Sequence, residues 1–287
     1  MKNDDIVITS AFRTAIGKFS GSLSSQTAPE LGSTVIKKCV ENSELKKEEV
    51  DMVYMGQVLT AGAGQNPARQ ASILAGLPHE TTNTTVNQVC GSGLASVALA
   101  YNSIKSGDGK LVIAGGQESM SNSPHYMNIR KGIKMGDGKM KDSMIIDGLW
   151  DVYNQYHMGI TAENVAEKFQ IRREEQDSFA AASQRKAAEA IKEKKFVNEI
   201  VPVKIKFKKE EIEFDKDEYP KAESTVEKLA KLRPAFKKDG TVTAGNASGV
   251  NDGAAAVCLM TGKMANKKNI EPLAKIVSWA QCGVDPS

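Results

Sequence analysis

The sequence predicts an α/β fold in which helices cover a largely parallel sheet. Short apolar runs alternate with helical patterns, glycine-rich turns separate them, and no apolar stretch is long enough to cross a bilayer. The 287 residues, 40% of them hydrophobic and 25% charged, have the composition of a soluble globular protein. We therefore expect a layered αβα domain with a sizeable core.

The first part of the chain alternates strands and helices. Strands are predicted at DIVITSA, MVYMGQVL, TTNTTVNQV and KLVIAGGQ. Helices are predicted at PELGSTVIKKCVENS, at PARQASILAGL and in the run that follows Cys90. This last run is apolar nearly all round, which indicates a buried helix.

The composition of the chain changes after Gln117. Methionine, glycine and polar residues become frequent, and the hydrophobic periodicity of the first part is lost. A long helix is predicted at REEQDSFAAASQRKAAEAIKEKK, and EIVPVKIKFKKEEIEFDKDE alternates like two exposed strands. We expect residues 121–244 to form a domain inserted into a first domain of residues 1–120 and 245–269. Residues 270–287, with PLAKIVSWAQCGV, are predicted to hold the opening strand of a further domain that is cut off.

Charge and cysteine usage exclude several classes of function. A formal charge of +3 is too small to indicate a nucleic-acid or membrane partner. The four cysteines form no CxxC pair and only three histidines are present, which argues against a zinc site. The acidic MKNDDIVITS start is not a secretory signal, so we expect reduced thiols in a cytoplasmic protein.

Cys90 stands between an extended run and a helix in TTVNQVCGSGLASVALA. The partial positive charge at a helix N-terminus favours a thiolate there, and the two following glycines leave room for an acyl group. Spacing alone nevertheless favours an inert packing cysteine at a tight turn, because cysteine is among the most buried residue types. Cys39 and Cys258 lie in apolar patterns and are predicted core residues.

The segment NQVCGSGL resembles the acyl-enzyme signature of the thiolase family. Further segments resemble the family in the same order along the chain: RTAIGKFSGSL, GQNPARQ, GGQESMSNSPH, DGLWDVYNQYHMGITAENVA, KLRPAF and TVTAGNASGVNDGAAA. The resemblance implies a thiolase-like layered αβα fold and the acetyl-CoA C-acetyltransferase reaction. Two acetyl-CoA would condense to acetoacetyl-CoA and CoA, or the reverse, with Cys90 as the nucleophile that becomes acylated.

The resemblance also assigns residues to substrate binding. The inserted domain would cover CoA, with Leu149, His157 and Met158 lining the acyl and pantetheine pocket and Ser248 bonding the pantetheine amide. Lys221 matches a family arginine near the CoA nucleotide, although lysine lacks the bidentate fork. Without the resemblance, the residues alone favour a structural role for His157, a place in the hydrophobic core for Met158 and a place in a glycine-rich turn for Ser248.

Some of the family pattern is absent from these 287 residues. They contain no NEAF asparagine, no GHP histidine and no second cysteine in a CxGGG segment. We therefore expect this chain alone to be inactive and to expose apolar surface. The alternatives are a non-catalytic CoA-binding fragment and a ketoacyl-synthase-like condensing enzyme. The resemblance implies CoA thioesters as substrates, no cofactor, and a homotetramer or dimer in the full-length form.

Overall fold

The fold is described from a computed structural model that covers residues 2–43, 45–207 and 210–287. The helices are α1 Ala28–Asn42, α2 Pro67–Leu74, α3 Ser92–Ser106, α4 Met158–Lys168, α5 Arg173–Lys192, α6 Val226–Ala230 and α7 Gly262–Lys267. The strands are β1 Ile6–Thr14, β2 Gly17–Lys18, β3 Met52–Gly56, β4 Thr82–Val86, β5 Leu111–Ser119, β6 His125–Tyr126, β7 Lys141–Asp142, β8 Trp150–Asp151, β9 Tyr156–His157, β10 Ile200–Val201, β11 Val203–Phe207, β12 Glu210–Phe214, β13 Asn251–Thr261 and β14 Ala274–Lys275. Within the described ranges, no helix is both long and apolar enough to cross a membrane.

The chain divides into two compact units. The first unit contains Met1–Pro124, Glu199–Glu218 and Asn251–Gln281, and the second unit contains His125–Asn198, Tyr219–Val250 and Cys282–Ser287. The bounds of these units are not those of the predicted domains. Residues 121–124, 199–218 and 270–281 lie in the first unit, whereas residues 245–250 and 282–287 lie in the second unit. The further domain expected to open at residue 270 stays a prediction.

A mixed sheet organises the first unit, in the order β10-β1-β13-β5-β3-β4. The pairs β5–β3 and β3–β4 are parallel, whereas β13 is antiparallel to both β1 and β5. The predicted α/β class is confirmed, but the sheet is less parallel than expected because β13 lies between β1 and β5 and runs antiparallel to both. Its long ladder with β5 runs from Asp252↔Ser119 to Met260↔Leu111.

Helices cover both faces of this sheet. Side chains alternate along the strands: Val7, Ile113 and Cys258 face the core under α1 and α2, while Ile6, Val112 and Leu259 face the core under α3. This period of two is what a strand buried on both faces requires. Cys39 and Cys258 are fully buried, as predicted, and burial raises the pKa of each thiol to about 12.

Only one side of α3 is buried, contrary to the prediction of a helix buried all round. Ala95, Ala98 and Ile104 pack toward the sheet, but Leu94 is 81% exposed and Leu99 is 40% exposed. Within the first unit the sheet offers α3 a packing surface on one side, so its remaining apolar residues lie at the surface.

The hairpin β11–β12 is anchored to β1, which explains its place in the first unit. Arg13 donates from Nε to Glu199 at 2.6 Å and from Nη1 to Asp217 at 2.7 Å. Val203 and Ile205 of the hairpin are buried against Leu23 and Leu31. The hairpin was predicted as two exposed strands with a solvated charged face. Lys204, Lys206, Glu211 and Glu213 form such a face, but Val203 and Ile205 on the other face are buried.

The predicted strand at PLAKIVSWAQCGV is short in the structure. Only Ala274–Lys275 forms a strand, antiparallel to β1 at Ile8 and Val7. Leu273 and Val277 are 65% and 78% exposed. Their apolar side chains therefore lack the burial that a longer strand would need.

The second unit is built mainly from helices. Its long helix α5 was predicted, and α4 and α6 accompany it together with the short pairs β6–β7 and β8–β9. Arg173 at the start of α5 pairs with Asp177 and donates to the carbonyl oxygens of Leu229 and Leu232. These bonds hold the end of α6 against α5.

Candidate active site

Cys90 lies in a tight turn just before α3 in the first unit. Val89 adopts φ +47°, a left-handed conformation that β-branched residues rarely take. The Ser92 hydroxyl closes the turn, because it accepts the N–H of Gln88 at 2.8 Å and donates to the carbonyl oxygen of Val89 at 2.6 Å. Cys90 is exposed at this turn, not buried as spacing alone suggested. The thiol is therefore open to reagents and substrates.

Glycines allow the start of α3 to approach the sheet. A Cβ added at Gly56 would lie 2.6 Å from the backbone carbonyl carbon of Ser92 and 2.7 Å from the nitrogen of Gly93. No side chain fits at Gly56 without displacing the backbone at the start of α3. The turn that carries Cys90 is thus placed by close backbone packing.

Two cavities of the first unit open beside Cys90. One, of about 490 Å³, is mainly apolar and is lined by Phe12, Leu94 and Val97. The other, of about 400 Å³, reaches Glu118 and Asp252. Arg13 borders both cavities. Burial opposes the charge of Arg13, but the carboxylates of Asp217 and Glu199 hold its pKa above the ordinary value.

Glu118 is a half-buried carboxylate beside this second cavity, and the sequence analysis did not single it out. It accepts the N–H groups of Val58 at 2.8 Å and Leu59 at 3.1 Å. Burial raises the pKa of Glu118, and the nearby Asp252 carboxylate adds to the rise. Its position in GGQES, at the end of a strand predicted to be buried, was the one feature of the sequence that could have indicated this carboxylate. Its bonds hold the segment after β3 next to the Cys90 turn.

The second unit contains a cavity of about 680 Å³. Four of the residues assigned by resemblance line it: Leu149, His157, Met158 and Ser248. The structure therefore brings these four together, although the sequence separates Leu149 from Ser248 by about a hundred residues. Lys221 is not part of this group. It is exposed, and its backbone N–H donates to Gln184 Oε1 at 2.8 Å.

His157 has a defined environment in this cavity. Its ring stacks on Phe236 with centroids 4.9 Å apart and planes 19° apart. Nδ1 accepts the N–H of Gly159 at 3.0 Å, so the imidazole caps the start of α4. Burial lowers the pKa of His157, which favours the neutral ring. With Nδ1 as acceptor, the proton of that neutral ring is assigned to Nε2.

Residues 6–263 match the family model described as the N-terminal domain of thiolase. The chain belongs to the thiolase family. Among curated thiolase relatives, an acetyl-CoA acetyltransferase of Rhizobium meliloti is 57% identical over 286 residues, which is 100% of this chain and 73% of the relative. An acetyl-CoA acetyltransferase of Cupriavidus necator is 57% identical over 284 residues, with 98% of this chain and 72% of the relative covered.

A solved thiolase-family structure agrees with the fold. The crystal structure of the Bacillus anthracis acetyl-CoA acetyltransferase superposes with a TM-score of 0.96 at 41% identity, over 99% of this chain and 73% of that one. This likeness confirms the predicted thiolase-like fold. The chain spans about 73% of the length of these relatives.

Proposed function

We propose that the chain performs the acyl-transfer chemistry of an acetyl-CoA acetyltransferase, with Cys90 as the residue that carries the acetyl group. The observation that supports this most directly is the exposed Cys90 on a constrained turn before α3, in a chain of the thiolase family. The names of the curated relatives support acetyl-CoA as the acyl donor.

The first half-reaction transfers an acetyl group to sulfur. The Cys90 thiolate attacks the thioester carbonyl of acetyl-CoA, and the oxyanion that forms accepts a hydrogen bond from the Cys90 backbone N–H. The carbon–sulfur bond to CoA then breaks, which leaves acetyl-Cys90 and a CoA thiolate that takes up a proton.

The second half-reaction forms the carbon–carbon bond. A second acetyl-CoA loses a proton from its α-carbon, and the resulting carbanion attacks the carbonyl of acetyl-Cys90. The Cys90 thiolate leaves, and acetoacetyl-CoA is the product; the reverse direction is thiolysis. No electrons leave the substrates, so the reaction needs no redox cofactor. Because no GHP or CxGGG segment occurs in the 287 residues, we assign them the first half-reaction and expect no complete turnover.

The cavity of the second unit is proposed to hold the acyl and pantetheine parts of CoA. Leu149 and Met158 supply apolar surface, while Ser248 and the Nε2–H of His157 supply polar groups for the pantetheine amides. Lys221 is proposed as a weak electrostatic contact to the CoA nucleotide. We also propose a homotetramer or dimer for the longer form and a cytoplasmic location, which keeps Cys90 reduced.

Mass spectrometry after incubation with acetyl-CoA tests this proposal. We expect an acetyl adduct on the Cys90 peptide and none in the Cys90→Ala variant. Cys282 is also an exposed thiol and serves as the internal reference for non-specific acetylation. CoA binding without a Cys90 adduct would favour a CoA-binding fragment instead.

A further inference from the structure

The segment of residues 240–248 lines part of the second unit's cavity without forming a helix or strand. It contributes Val242, Asn246, Ala247 and Ser248 to the lining. Its regular backbone pairing is a single bridge, Pro234↔Thr243, among the described residues. A segment of this kind keeps its position through side-chain bonds, so the side chains that hold it decide where Ser248 lies.

Glu163 holds one end of the segment. The side chain lies on α4, and the residue is only 6% exposed. Its carboxylate accepts the N–H of Thr241 at 2.8 and 3.0 Å, the hydroxyl of Thr241 at 2.9 Å and the N–H of Val242 at 2.8 Å. A Cβ added at Gly240 would lie 2.3 Å from Glu163 Oε1, so the segment is seated directly on the carboxylate.

The protonation state of Glu163 agrees with this arrangement. Burial alone would raise its pKa, but the N–H groups of Val242 and Thr241 and the Thr241 hydroxyl hold it below the ordinary value. A charged carboxylate offers only acceptors, and all of its partners here are donors. An amide of the same shape would direct an N–H₂ group at a backbone N–H.

Asn246 holds the other end. Its Oδ1 accepts the N–H of Thr243 at 2.7 Å, and its Nδ2 donates to the carbonyl oxygen of Thr241 at 3.1 Å. Nδ2 also donates to Oδ1 of Asp177 at 2.9 Å. Asp177 is 1% exposed on α5 and is fixed by Arg173. The segment is therefore bonded to α4 through Glu163 and to α5 through Asp177. Asn246, which makes the bond to α5, lies two residues before Ser248.

We propose that Glu163 and Asn246 are positioning residues for the acyl-thioester cavity. Glu163 lies on the helix whose first residue is Met158 and whose cap is His157, and it bonds the segment that carries Ser248. One carboxylate thus fixes two sides of the cavity relative to each other. The inference rests on the proposed function, because it assumes that this cavity binds CoA thioesters.

The first test compares Glu163→Gln with a matched control, Glu167→Gln. Glu167 lies one turn further along α4, and its side chain is 75% exposed, so its loss should leave the segment in place. We expect Glu163→Gln to weaken CoA binding by about tenfold or more, as measured by titration calorimetry, because a buried charged acceptor is lost. Glu167→Gln should bind CoA like the unmodified chain.

A double-mutant cycle with Ser248→Ala separates positioning from a general loss of stability. If Glu163 acts through Ser248, the effect of Glu163→Gln on CoA affinity should shrink at least severalfold in the Ser248→Ala background. If Glu163→Gln does not fold, Thr241→Val takes its place in the cycle. It removes only one hydroxyl donor to Glu163, so we expect a smaller loss of CoA affinity.

The outcomes distinguish the two proposals. If the unmodified chain binds no CoA, the proposed function fails and the inference fails with it. If the chain binds CoA but Glu163→Gln and Thr241→Val bind equally well, or if their effects simply add to that of Ser248→Ala, the inference alone is overturned.

Discussion

The Ser92 hydroxyl donates a 2.6 Å hydrogen bond to the carbonyl oxygen of Val89, across the turn that carries Cys90. The same hydroxyl accepts the N–H of Gln88. One buried side chain therefore joins the two residues before the nucleophile to the first residue of α3.

Ser92→Ala should reduce the reactivity of Cys90. Without the hydroxyl only the backbone N–H groups of Gly91 and Ser92 close the turn, so Cys90 is presented less rigidly, and its alkylation by iodoacetate should slow about two- to fivefold. The rate is measured by mass spectrometry relative to the exposed Cys282 in the same sample. Ser96→Ala is the control, since buried Ser96 bonds to Gly93 and Gly115 and not to the turn. Equal Cys90 rates in both variants would contradict this role for Ser92.

Val89→Asn should stabilise the first unit. Val89 has φ +47° and its side chain is 49% exposed, so the substitution removes left-handed strain while losing little burial. Asparagine tolerates this conformation better than a β-branched residue, and we expect the free energy of unfolding to rise by about 1 kcal/mol. Urea unfolding monitored by circular dichroism measures the change. A decrease in stability would show that the Val89 side chain matters more than its backbone strain.

Asp217→Asn should loosen the hairpin β11–β12. The variant loses one charged partner of Arg13, whose guanidinium bonds both carboxylate oxygens of Asp217 and also pairs with Glu199. We expect a loss of about 1.5–3 kcal/mol in the free energy of unfolding and faster tryptic cleavage at Lys204 and Lys206. Glu211→Gln is the matched control, because its ion pair with Lys204 is exposed. Unchanged cleavage in Asp217→Asn would rule out this anchoring.

Stability should fall as the solution is acidified below about pH 4.5. The folded-state pKa values of Asp217 and Glu163 are lower than the ordinary 3.8 and 4.5, because hydrogen-bond donors outweigh the effect of burial. Such groups stabilise the fold above their unfolded-state pKa, and this contribution is lost as pH falls through the folded-state pKa. Urea unfolding between pH 7 and pH 3 measures the slope. Glu163→Gln and Asp217→Asn should each flatten it; a slope that is equal in both variants and in the unmodified chain would contradict the assignment.

Local patterns were sufficient to predict much of this fold. The strands and helices of the first 120 residues follow from their apolar periods, and α5 follows from its length and charge pattern. The position of Cys90 before α3 was also predicted. Its exposure was not, because a strand–glycine–helix turn is equally compatible with a buried thiol.

Long-range bonds account for most of what the sequence did not predict. Arg13 forms ion pairs with Glu199 and Asp217, which lie 186 and 204 residues away in the sequence. Nothing in the local pattern indicates that pairing. Glu163 looks like any charged residue of a surface helix, yet its partners lie 78 and 79 residues later. The four cavity residues were found through resemblance, since none of them has a local signal of binding.

The register of β1 has a consequence for the order in which the chain folds. Among the described residues, β1 pairs with β10, β13 and β14, which begin at Ile200, Asn251 and Ala274. During synthesis β1 therefore has no ladder partner until at least residue 200 has emerged, and its main partner follows about fifty residues later. The ribosome would release most of the second unit first, while the N-terminal strand is still an open edge that a chaperone or another nascent chain can bind.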